Sequence, residues 1–150
     1  MTKDINLLAK EIKRDFFVYR NGIVAAALKK IYDTTILIYG LNVPQFIELA
    51  KKYPKDLELG NCLWQDKGCR ESRLFSLYIL PPVEISDDMA IDFIKDVRNN
   101  EEAEFLAFRI LRNLSDPYKV FEKIKCEKEL TPASLYCLQM FKRNLEIKGQ

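Results

Sequence analysis

The chain has 150 residues, with 24 basic side chains against 22 acidic ones and no histidine. A chain of this length fits one domain, and 48% apolar residues can furnish its core. Without histidine, Ser-His-Asp and Cys-His catalysis and His-ligated zinc are excluded. Any chemistry falls to carboxylates, lysine, tyrosine or cysteine, and a net charge of +2 names no partner by itself.

The opening Met-Thr-Lys-Asp-Ile-Asn lacks a basic region followed by an apolar block, and no apolar run approaches the length of a membrane span. A reduced, cytoplasmic compartment with no membrane partner is therefore the expectation. Ile5, Leu8, Ala9, Ile12 and Phe16 recur in steps of three and four and predict a first helix. A second is predicted over 22–32, with Ile23, Ala26, Ala27 and Ile31 on its face. The β-rich stretch 34–39 has no partner strand in view and reads as an extended connection or a helix end.

From Gly40 onward the helical signals become regular. Pro44 suits a first helical turn, where its missing N–H costs nothing. Asp56 caps a helix carrying Leu57, Leu59, Leu63 and Trp64. The next runs over 70–80 and stops at Pro81-Pro82. Ser86 caps a helix over 87–97, with Asp87 and Asp88 where the helix dipole favours acids. Further helices are predicted over 101–114, from Asp116-Pro117, and from Thr131-Pro132 to about Leu145. Helix starts near 44, 57, 70, 86, 102, 117 and 132 are evenly spaced. On spacing alone, a solenoid of antiparallel pairs and an irregular helical bundle fit equally.

The four cysteines, Cys62, Cys69, Cys126 and Cys137, form no CxxC pair, and Cys137 sits in an apolar run as a buried thiol would. There is no metal-ligand cluster, Gly-rich phosphate loop or nucleophile elbow, so neither a cofactor nor a metal is expected. Phe16, Phe46, Phe75, Phe105, Phe108, Phe121 and Phe141 read as core.

Two segments carry a resemblance. One is Tyr39-Gly40-Leu41-Asn42-Val43-Pro44 through Ala50-Lys51-Lys52-Tyr53. The other is Leu63-Trp64 through Arg70-Glu71-Ser72-Arg73 to Leu77. In this order they resemble the AlkD-like DNA alkylation repair family, as a short and divergent member. Weaker similarity continues through Asp96-Val97-Arg98-Asn99-Asn100 and Phe108-Arg109-Ile110-Leu111-Arg112. The resemblance covers roughly residues 36–145 and implies an all-α, HEAT-like or ARM-like superhelical array of antiparallel helix pairs with a basic concave face for duplex DNA, expected as a single domain over 1–150. Family enzymes excise cationic alkylated purines, using an aromatic and an aspartate four residues on, with an arginine from a later helix.

Here the aromatic position falls on Glu101, the aspartate on Phe105, and the arginine on Thr131-Pro132. Ile47 stands where an arginine is usual, and Trp64 matches a packing position. The expected function is backbone binding of duplex DNA without the family's catalytic groups. An active glycosylase, with Glu101, Glu102 or Glu104 in the aspartate's role, is one alternative. A helical-repeat scaffold for a protein partner is the other. Basic residues lie together along predicted helices, and Arg109, Arg112, Lys142, Arg143, Arg70, Lys51 and Lys52 are the candidate phosphate contacts.

Overall fold

The computed structural model describes residues 4–32 and 35–148. Its described residues are all-helical, with no strand among them. The expectations that fall on residues 1–3 and on Thr34 lie outside them. Two compact units follow one another along the chain, Met1–Leu80 and Pro81–Gln150.

The first unit holds α1 (Ile5–Val18), α2 (Gly22–Leu28), α3 (Val43–Ala50), α4 (Leu57–Trp64) and α5 (Arg70–Ile79). Each of the first four starts on a side-chain cap that its own sequence supplies. Asp4, Asn21, Asn42 and Asp56 each accept a backbone N–H from the first turn. At Asn42 the box is reciprocal, because the Gln45 side chain accepts the Asn42 N–H. Helix α2 is shorter than predicted. After Leu28 the backbone tightens into turns, with Ile31 N–H bonded to Leu28, which brings Tyr32 inward onto Ala25 and Ile38.

The β-rich stretch is an extended connection, as one of its two readings had it. It also finds a partner, since Leu37 bridges Cys69 in parallel. Leu37 N–H donates to Gly68 at 2.8 Å and its carbonyl accepts from Arg70 at 3.0 Å. Helices α4 and α5 form an antiparallel pair. Asp56, which caps α4, donates its N–H to Ile79 at the far end of α5. Gly60 lets them close, because a Cβ there would stand 2.6 Å from the Leu80 side chain. Phe16, Phe46 and Phe75 fill the core between α1, α3 and α5.

The second unit holds α6 (Asp87–Asp96), α7 (Asn100–Arg109), α8 (Pro117–Ile124) and α9 (Pro132–Lys148). Ser86, Asn99, Asp116 and Thr131 cap these helices through their side chains. The helix predicted over 101–114 is broken. It ends at Arg109, and a 3-10 turn covers Leu111–Asn113. The carbonyls freed there are taken up by side chains, Arg112 Nε donating to Phe108 at 2.7 Å and Asn113 Nδ2 to Arg109 at 3.0 Å. Helix α9 packs along α7 and also meets α6 and α8.

Candidate functional site

The two segments that carry the family resemblance meet in the first unit, and the residues joining them are buried. Glu71, in the first turn of α5, is fully buried. Its Oε1 accepts the Tyr39 N–H at 2.9 Å, and its Oε2 accepts the Gly40 N–H at 3.0 Å. Arg70 Nη1 lies 2.6 Å from the same carboxylate and donates to the Leu41 carbonyl at 3.1 Å. The acid and its neighbouring base therefore clamp backbone at 39–41 from both sides. Gly40 is required at the centre of that clamp. Its φ is +90°, and a Cβ there would meet the Asn21 carbonyl oxygen at 2.5 Å and the Ala25 nitrogen at 2.9 Å.

Arg70 was read as a phosphate contact, and its guanidinium is instead buried and committed inside the fold. Hydropathy alone could not reveal this, because a charge is buried only with partners, and of those for Arg70 the Leu41 carbonyl lies 29 residues away in sequence. Arg73 is likewise buried, its guanidinium 3.7 Å from the centre of the buried Trp64 ring and bonded to the Trp64 carbonyl. Trp64 is thus a packing residue, as its position implied. Lys51 and Lys52 are exposed, and the Lys51 ammonium lies 3.1 Å from Glu48. A pair as open as that contributes at most about 1 kcal/mol.

The three glutamates at the start of α7 have three different settings. Glu102 is fully buried. Its backbone N–H is capped by Asn99, and its carboxylate accepts the Arg98 N–H at 3.0 Å and Arg98 Nη2 at 3.0 Å. Glu104 is exposed and accepts from the Tyr136 hydroxyl of α9. That hydrogen bond raises the Tyr136 pKa. Glu101 is half-buried, as is Phe105. Thr131 and Pro132, where the family has an arginine, start α9: the Thr131 hydroxyl accepts the Ser134 N–H at 3.1 Å.

The four remaining candidate cations all belong to α7, α9 and the turn between α7 and α8. Arg109 is half-buried. Arg112 holds its guanidinium 3.7 Å above the Phe108 ring. Phe108, read as core, is 49% exposed and is covered by that guanidinium instead. Lys142 and Arg143 are exposed and form no ion pair among the described residues. Most other lysines of this unit do pair. Lys95 reaches Glu127 at 3.1 Å, Lys119 reaches Asp87 at 3.3 Å, and Lys125 reaches Glu122 at 3.2 Å.

The four cysteines are unbridged. Burial pushes the Cys137 thiol up to about 12. Burial also raises Cys69, opposed by hydrogen bonds from the Ser72 backbone and hydroxyl. Neither thiol is activated as a nucleophile. Among the described residues no group of three or more acids and cysteines could hold a metal ion.

One feature was missed by sequence reasoning. Helix α2 is apolar throughout its seven residues, Gly22–Leu28, yet only Ala25 is buried. Val18 is 68% exposed, Ile23 85% and Ile31 74%. Val18 also lines an open depression of about 590 Å³, together with Arg20, Gly22, Ala26, Lys29 and Tyr39, among others. The signal was available: residues 16–32 hold three cations and no acid among their apolar residues. Assigning Ile23 and Ile31 to a core face concealed it.

No family model matches the chain, and comparison with curated proteins and with solved structures likewise returned no match.

Proposed function

We propose that the chain is a divergent member of the AlkD-like family, built of HEAT-like helix pairs, that binds duplex DNA through phosphate contacts made by its second unit. The observation that carries this reading is the exposure of Lys142 and Arg143. They are exposed and without ion pairs in a unit whose other lysines are mostly matched by acids. Arg109 and Arg112 lie on elements that pack against the same helix. The antiparallel α4/α5 pair supports the helix-pair architecture. No catalytic role is assigned to the glutamates: Glu102 is buried under Arg98 and Glu104 is engaged by Tyr136.

Four cations on four phosphates give a plot of log affinity against log salt with a slope of about −3.6. Fluorescence anisotropy with labelled duplexes of unrelated sequence measures it. The double variant Lys142→Gln/Arg143→Gln is expected to halve that slope equally for every duplex. Absence of binding at low salt, or a double variant with the parent slope, refutes the reading.

A further inference from the structure

We propose that the end of α1 together with α2 is a docking surface for a bilayer containing anionic lipids, with Val18, Ile23 and Ile31 entering the interface and Arg20, Lys29 and Lys30 holding the headgroups. A short helix that is apolar on nearly every side, yet turns only Ala25 and part of Leu28 inward, is not accounted for by the packing of its own unit. Large aliphatics left exposed in one short stretch of chain, Val18, Ile23 and Ile31, point to an interaction surface. Their surroundings indicate which kind. Residues 16–32 contribute three positive charges and no negative one, and Lys29 and Lys30 are exposed with no ion pair among the described residues. The Arg20 guanidinium is held in place, 3.8 Å above the Phe17 ring and bonded to the Phe17 carbonyl at 2.8 Å. Arg20 and Lys29 line the same depression, which can take a phosphate group beside the protruding side chains.

Three alternatives fit less well. A nucleic-acid backbone gives Val18, Ile23 and Ile31 nothing to bury. A second copy of the chain would bring Arg20, Lys29 and Lys30 against their own like charges. A protein partner would have to match side chains that project singly, whereas an acyl interface receives them without a fitted cavity. Basic residues flanking exposed Ile, Val and Phe are the composition of interfacial segments, whose binding combines apolar burial with attraction to anionic lipid. The sequence expectation of no membrane partner rested on the absence of a spanning run, and no helix among the described residues is long and apolar enough to span. A surface attachment needs no such run.

The test is flotation of the full chain with vesicles of phosphatidylcholine alone and of phosphatidylcholine mixed with phosphatidylglycerol. Binding to the mixed vesicles only is expected. Lys29→Gln/Lys30→Gln is expected to weaken it roughly thirtyfold, and Ile23→Ser roughly tenfold. Val18→Ser serves as a second apolar variant should Ile23→Ser alter the fold by circular dichroism. Lys142→Gln/Arg143→Gln, which tests DNA binding, should float as the parent does. No flotation, equal flotation on both vesicle types, or parental binding by the folded apolar variants overturns the proposal. So does a concentration-dependent dimer in sedimentation that Ile23→Ser abolishes while no vesicle binds, since that outcome assigns the face to a second copy.

Discussion

Glu71 and Glu102 are the same residue in nearly the same place, the first turn of a helix, and both are fully buried against an arginine. They differ in what they reach. Glu102 closes a local loop, receiving Arg98 four residues back. Glu71 receives backbone N–H groups 31 and 32 residues back and so joins two distant parts of its unit. Their arginines differ too: the Arg70 side chain is 5% exposed and that of Arg98 is 27% exposed. A buried carboxylate whose partner is also buried is a tertiary tie, whereas one whose partner stays wet is an extended helix cap.

Replacement by alanine breaks this comparison most directly. Glu71→Ala strips a buried guanidinium of its carboxylate and leaves two backbone donors at 39–40 without it, a loss of about 3–5 kcal/mol. Glu102→Ala costs about 2 kcal/mol, because Arg98 can turn to water. Urea denaturation of both variants measures the difference, and equal losses would abolish the distinction. Gly40→Ala attacks the same tie from the backbone side. It forces a Cβ against two backbone atoms at positive φ, and about 3 kcal/mol is expected. A stability within 0.5 kcal/mol of the parent (about the spread of neutral surface changes) would mean that the clamp accommodates a shift.

The two buried thiols extend the contrast to pH. Cys137 is raised by burial alone, while Ser72 offsets part of the rise at Cys69. A thiol held protonated in the folded chain ionises first in the unfolded one. Its stabilisation is therefore complete below the unfolded value of 9.0 and is lost as pH rises toward about 12. Near pH 10 the loss at Cys137 is roughly 1 kcal/mol. Melting the parent and Cys137→Ala across that window isolates it, since the variant should lose less. Parallel curves would show that the site does not stay dry.

These contrasts also explain what was legible in the sequence. The helix starts at 44, 57, 86, 117 and 132 were readable because each capping side chain and the backbone N–H it accepts lie within four residues. The hydrogen bonds of Glu102 to Asn99 and Arg98 were equally close at hand, but the burial of Glu102 has no signature in a run of glutamates. The broken helix at 110 escaped because Arg112 and Asn113, which take up its carbonyls, look like ordinary surface residues. Glu71 and Arg70 were misjudged for one reason, since the backbone groups they hold, at 39–40 and at 41, lie some thirty residues back. Of the candidate phosphate contacts, Lys142 and Arg143 lie open. Ile23 and Ile31 have helical spacing but no core to face.

Helix α5 carries one consequence for the chain before it folds. All ten of its residues are enclosed, yet five of them are Arg70, Glu71, Ser72, Arg73 and Ser76. A segment buried by means of aliphatics alone would be adhesive whenever it was exposed during synthesis or local opening. Charges and hydroxyls interrupt every short window of α5 and keep such windows from pairing between chains. The most enclosed helix of the first unit is thus also one that water tolerates while the rest of that unit is still being assembled around it.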